Sequence, residues 1–262
     1  MNRRKFIAAT AATAAAGAVT SIAARAGDVN QMYYEMIRFQ LTSNALKGRF
    51  EKYWKEAAIP ALNRLGPSPI GVLRSKFGSH GLDYLVIIPH PSLESFETAW
   101  DKVAQDAQYQ AAGKGLIDPP MDSPLYYRMQ TSLLKAFTHL PNIEIPEHIK
   151  GKKGRMYEVR IYESHNRQKA KLKVEMFNEG GEIALFKETG LNPVLFGETL
   201  AGEKMPNLTY ILGFESMAEH DRAWDAFRTS DGWAKLKVNP RYKDTVSSVT
   251  DIIYSPAGCS QM

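Results

Sequence analysis

The sequence predicts an α+β fold: two tandem ferredoxin-like βαββαβ repeats packed sheet to sheet as an intrachain α+β barrel. Three observations predict it. First, residues recur at constant spacing: Trp100 with Trp224, Tyr109 with Trp233, Gly66 with Gly190, Pro69 with Pro193 and Ser92 with Ser216, each pair 124 apart. Tyr34-Glu35 recurs as Tyr157-Glu158 at a spacing of 123, which places one gap inside the first helix region. Second, strand-like and helix-like patterns follow the same order in both copies. Third, a four-stranded sheet with both helices on one face leaves the other face bare, and a second copy in the chain can cover it.

Each copy opens on a short aromatic and β-branched segment with strand character, "YYEMIRFQL" in the first and "MYEVRIY" in the second. A helix follows. In the first copy Leu46, Phe50, Tyr53, Trp54, Ala57, Ala61, Leu62 and Leu65 recur at helical spacing, and Pro60 should kink or split the helix. Gly66 and Gly190 stand where a C-terminal cap belongs, with prolines soon after. Two strands come next: "PIGVLRSKF" and "LDYLVII" around Gly78-Ser79-His80-Gly81, then "PVLFGETL" and "NLTYILGF" around "AGEKMP". Ser92 and Ser216 are plausible N-caps of the second helix, because a serine oxygen accepts from the free amides of a starting helix. That helix holds "AWDKVAQDAQY" in one copy and "AWDAFRTSDGW" in the other, and its aromatics should pack it onto the sheet. Final strands are read in "YYRMQTSLLKAF" and "VSSVTDIIYS".

The first 26 residues read as an export signal. Arg3, Arg4 and Lys5 precede a weakly apolar Ala/Thr stretch, and Ala24-Arg25-Ala26 supplies a small-x-small cleavage pattern. The paired arginines before Lys5-Phe6-Ile7 resemble the twin-arginine signal of bacteria, implying a periplasmic or other extracytoplasmic location. The stretch is too weakly hydrophobic for a permanent span, and no stable membrane span is expected once it is removed. The divisions are then 1–26 export signal, 27–150 first repeat with linker, and 151–262 second repeat. The leader carries four basic residues and no acidic one, so its loss takes the formal charge from +5 to +1. That removes the electrostatic case for nucleic acid, which is bound through many clustered phosphate contacts. The single cysteine, Cys259, excludes an intrachain disulfide and a thiolate metal cluster. Pro, Gly and Lys in "DPPMDSP" and "THLPNIEIPEHIKGKKG" mark irregular connections; "GKGLID" and "KGKKG" match no phosphate-loop spacing.

Without the leader, both halves resemble the NIPSNAP family of the dimeric α+β barrel superfamily. "YEVRIYES" (157–164), "ETGLNPVLFGE" (188–198) and "RAWDAFRTSDGW" (222–233) carry the resemblance, with weaker counterparts in the first copy. The first copy departs in having Ile37 where the second has Arg160. The resemblance implies the barrel and hands over no catalytic residue, since the family's biochemistry is undefined. Relatives with this barrel include cofactor-independent monooxygenases, haem-dependent enzymes and plain binding proteins.

Strand alternation gives the candidate site. Tyr157, Val159 and Ile161 share one face, Glu158, Arg160 and Tyr162 the other. The apolar set is expected against the helices and the polar set inside the barrel, opposite Glu35, Ile37 and Phe39 of the first copy. Glu35, Glu158, Arg160, Tyr162 and His165 are therefore the candidate ligand-contacting residues, with a ligand carboxylate facing Arg160. A satisfied internal ion pair between Glu158 and Arg160 is the alternative. His80 and His165 could rim the lumen and titrate near neutrality. No histidine or cysteine spacing supports a metal, no cofactor is predicted, and haem is left open. "EHD" at Glu219–Asp221 lies in an amphipathic helix, where adjacent residues diverge. The functional expectation is an exported binding protein with a small organic ligand between its sheets. The alternative is an oxidoreductase, monooxygenase-like or haem-dependent. Self-assembly through free sheet edges, giving a homo-oligomer, is a third reading.

Overall fold

The computed structural model describes residues 31–78 and 81–262. The expected export leader and His80 lie outside the described residues.

The first repeat runs β1 (Tyr33–Gln40), α1 (Lys47–Tyr53), a π-helical turn (Trp54–Ala58), α2 (Ile59–Arg64), β2 (Gly71–Phe77), β3 (Asp83–His90), α3 (Leu93–Ala104), α4 (Ala107–Ala112) and β4 (Arg128–Ala136). The second runs β5 (Met156–Glu163), α5 (Arg167–Phe177), α6 (Glu182–Glu188), β6 (Pro193–Ala201), β7 (Asn207–Phe214), α7 (Met217–Thr229), α8 (Asp231–Leu236) and β8 (Ser248–Pro256). The expected order is present in both copies. Pro60, lacking an N–H to bond back to the preceding turn, sits at the start of α2, directly after the π-helical turn. Gly66 and Gly190 close their helices at φ +111 and +82. Ser92 and Ser216 cap as expected, their Oγ atoms accepting from the amides of Ser95 and Glu219. The second helix is split in each copy: Asp106 caps α4 and Ser230 caps α8, so each tryptophan stands one helix before its paired aromatic.

The strands form one closed barrel in the order β1-β3-β2-β8-β5-β7-β6-β4. Each repeat contributes four neighbours in ferredoxin-like order, and the sheets join at antiparallel β2–β8 and β4–β6 seams. Gly197 is required at the second seam, where an added Cβ would lie 2.9 Å from that of Leu134. Because both seams are paired within the chain, the described strands leave no free sheet edge, and the basis for edge-to-edge assembly is gone.

Three apolar clusters fill the molecule. The inner one mixes both repeats: Tyr34, Met36, Leu85, Ile87, Leu134, Tyr157, Val159, Ile211, Ile252 and Tyr254 converge inside the barrel. The outer two lie between sheet and helices, one per repeat, around Phe39, Phe50 and Trp54 and around Phe177, Phe186 and Phe214. This inverts the expected faces. Alternation is as the sequence predicts, but Tyr157 and Val159 point into the barrel, while Glu158, Arg160 and Tyr162 point at the helices. In the first repeat Glu35, Ile37 and Phe39 likewise face the helices. The reason is polar supply. Leaving a carboxylate buried and unpaired costs several kcal/mol, more than the roughly 1.5–3 kcal/mol gained by burying one more apolar side chain. The space between sheet and helices places an indole and an imidazole beside each carboxylate, Trp100 and His90 at Glu35, Trp224 and His220 at Glu158.

The expected ligand space between the sheets is therefore filled. The cavity inside the barrel measures about 80 Å³ and lies near Arg38, Gln130 and Thr209. That is well below the roughly 300–1,000 Å³ usual for small-molecule sites. Among the described residues, no helix is long and apolar enough to cross a membrane.

Candidate functional site

Two cavities lie between sheet and helices, one in each repeat, and a buried glutamate lines each. In the first repeat β1 presents Glu35 to α3. Trp100 Nε1 donates to both carboxylate oxygens at 3.2 and 3.3 Å, and His90 Nε2, at the end of β3, stands 3.2 Å from Oε2. Ser95 Oγ holds the other ring nitrogen of His90 at 3.2 Å, and His90 is fully buried. In the second repeat β5 presents Glu158 to α7. Trp224 Nε1 donates to Oε2 at 2.8 Å, Arg160 Nη1 donates to Oε1 at 2.7 Å, and His220 Nε2 lies 3.5 Å from Oε2. Asp221 holds His220 Nδ1 at 2.8 Å.

The imidazoles come from non-equivalent positions. With the repeats aligned at 124, His90 corresponds to Phe214 and Phe96 to His220. In the first repeat the histidine is on the strand and the phenylalanine on the helix, with ring centroids 5.7 Å apart. In the second the two are exchanged, 5.0 Å apart. Both arrangements deliver an imidazole and an indole to the same carboxylate.

Charges differ between the two. Burial would raise the Glu158 carboxyl, but hydrogen bonds from His220, Arg160 and Trp224 outweigh it and hold the group below its ordinary range. Burial would lower the His220 imidazole, yet Glu158 and Asp221 raise it above its usual value. Deeper in the same cavity Lys173 and Glu182 form a buried ion pair at 2.6 Å, and burial raises the Glu182 carboxyl despite its partner.

The walls differ as well. The first cavity, of about 460 Å³, is lined by Ile37, Phe39, Phe50, Trp54 and Trp100, with Glu35 as its one charged lining residue. Its outer wall is the proline-rich connection, where Leu116 and Leu125 turn inward on either side of Pro119 and Pro124. The second cavity, of about 730 Å³, is lined by Arg160, Tyr162, Lys173, His220 and Trp224, with Arg228 and Asp251 beside them. At equivalent positions of the repeats, Ile37, Phe39 and Phe50 are thus replaced by Arg160, Tyr162 and Lys173. Ring geometry supports that alignment: Phe39 lies 6.0 Å from Trp54, and Tyr162 lies 6.2 Å from Phe177.

Of the sequence candidates, Glu158, Arg160 and Tyr162 meet in one cavity and Glu35 stands in the other. His165 is exposed in the loop between β5 and α5 and lines neither. Sequence reasoning missed His90, Trp100, His220, Trp224 and Lys173. The tryptophans pack as the sequence predicts and also donate to the glutamates; the missed signal is that a glutamate and a tryptophan recur together. His220 belongs to the "EHD" stretch and reaches the sheet while Asp221, one residue on, lies at the surface.

Haem iron needs a free axial donor such as an imidazole or a thiolate. The imidazole in the second cavity has both nitrogens engaged, and Cys259, its thiol pushed up to about 11 by burial, lines neither cavity. Neither wall fits an imidazole- or thiolate-ligated haem. Among the described residues, no group of three or more His, Cys, Asp or Glu could hold a metal ion.

The NIPSNAP family model matches residues 34–137 and again 157–261. No curated protein sequence matches the chain significantly. Among solved structures, a provisionally assigned monooxygenase from Lactobacillus acidophilus aligns with TM-score 0.55 and 10% identity, over 86% of this chain and 94% of that one. Another from Fusobacterium nucleatum gives 0.54 and 6%, over 86% and 92%. An uncharacterised NIPSNAP-like protein from Burkholderia xenovorans aligns with 40% of this chain and 88% of its own, at 17% identity and TM-score 0.36. The first two likenesses establish a shared barrel architecture.

Proposed function

The chain belongs to the NIPSNAP family, and we propose that it binds a flat, largely apolar organic molecule bearing a hydroxyl group, in the cavity between sheet and helices of its first repeat. The observation that carries this reading is the wall of that cavity: aromatic and aliphatic side chains throughout, with the single carboxylate of Glu35. Its volume of about 460 Å³ falls within the roughly 300–1,000 Å³ usual for small-molecule sites. A ring system fits the apolar wall, and a hydroxyl donating to Glu35 fixes its orientation. Trp100 and His90 hold the carboxylate in place, so little side-chain freedom is lost on binding.

The test uses 2-naphthol, whose excited state releases its proton when an acceptor adjoins the hydroxyl. Bound to the wild-type chain it should emit as naphtholate. Glu35→Gln should remove that emission and weaken binding about tenfold or more, in line with the ~1.5–3 kcal/mol of a hydrogen bond to a charged group. Naphthol binding that ignores this substitution would sink the reading.

An oxidoreductase of monooxygenase type at the same cavity is the second reading. Glu35 also supports it, because a carboxylate that takes the ligand's proton leaves an electron-rich anion. Glu35-dependent oxygen uptake with 2-naphthol would favour it over binding alone.

A further inference from the structure

The second repeat gives its glutamate a cation that the first repeat lacks. Glu35 is satisfied by an indole and an imidazole, with Ile37 two residues along the strand. Glu158 has the same two partners and Arg160 in addition. The guanidinium lies 4.5 Å from the Trp224 ring centroid and keeps 17% of its side-chain surface open. From this we propose that the second repeat carries a separate site for an aromatic carboxylate, its anionic group bound by Arg160 and its ring lodged against the aromatic wall of the cavity.

The surroundings suit that ligand class. Trp224, Phe227 and Trp233 form an aromatic wall on the helix side. Arg228 adds a second guanidinium at the rim, 5.9 Å from the Trp224 ring centroid. The opposing carboxylates are accounted for. Glu158 is bonded to Arg160 and Trp224, Glu182 is paired with Lys173, and Asp251 is a 63% exposed rim residue 3.6 Å from Arg160. An incoming carboxylate shares the guanidinium with Glu158 and displaces Asp251, which can turn to solvent. A planar guanidinium stacked on an indole favours a carboxylate over a more diffuse anion, because its forked donors match two oxygens. The first cavity offers no cation in its lining, so the two repeats select ligands of different charge.

The experiment is a calorimetric titration of the full chain with 2-naphthoate, alone and with 2-naphthol already bound. The wild-type chain should bind naphthoate, and saturating naphthol should leave that affinity unchanged. Arg160→Ile, which installs the side chain found at the equivalent first-repeat position, should weaken naphthoate at least tenfold while leaving naphthol binding nearly unchanged. Should Arg160→Ile fail to fold, Arg160→Lys serves: charge without the fork should give a smaller loss, of several fold. Glu35→Gln should affect naphthol alone. The proposal is overturned by any of three results: no naphthoate binding at millimolar concentration, affinity indifferent to both Arg160 substitutions, or competition between the two probes.

Discussion

At the scale of single residues, the exchange of histidine and phenylalanine between repeats says most. His90 and His220 descend from different elements, yet each imidazole meets its glutamate, while Phe96 and Phe214 fill the vacated positions. Replacing His90 by Phe should destabilise the chain by about 1.5–3 kcal/mol, the range for a hydrogen bond to a charged group. Adding Phe96→His should recover at least half of that, since the second repeat already uses the helix position. Chemical denaturation of both single variants and the double variant closes the cycle; additive losses would contradict the idea. The carboxylates were legible in the sequence as the repeated Tyr-Glu pair, and alternation correctly separated the two faces. It could not say which face is inner, because both carry tyrosines and aliphatic residues. The imidazoles were illegible for a different reason: a search at fixed spacing aligns each histidine with a phenylalanine.

At the scale of elements, the order and most boundaries were readable because caps and glycines repeat. Ser92, Ser216, Gly66 and Gly190 act where their chemistry predicts. Asp106 and Ser230, each able to cap, sit inside what reads as one amphipathic helix and split it. The proline-rich connection looked like a spacer and instead walls a cavity, with Leu116 and Leu125 as the inward-facing residues. Seam packing was invisible, because no periodicity marks which strands meet across two repeats. It has a sharp consequence at Gly197, whose missing Cβ lets β6 approach Leu134 of β4. Gly197→Ala should cost about 1–3 kcal/mol by overpacking, read as a lower denaturation midpoint with unchanged slope. A variant as stable as wild type would mean that the seam can relax.

At the scale of the whole molecule, the inner cluster belongs to both repeats together, with Tyr34 and Met36 from one and Tyr157 and Val159 from the other. A repeat produced alone exposes that face and leaves two strand edges unpaired. Residues 27–150 or 151–262 by themselves should therefore self-associate or aggregate, and mixing the halves should restore a folded complex. Light scattering after size exclusion would decide; a folded monomeric half would contradict the shared core. The closed barrel also has a genetic consequence. In a symmetric pair of identical subunits every substitution is made twice, so a change that suits one pocket is imposed on the other. Joining both copies in one chain gives each pocket its own codons. Ile37 and Arg160 occupy one position of the ancestral design and differ in charge, a divergence open only to a duplicated gene whose products stay locked in a common frame.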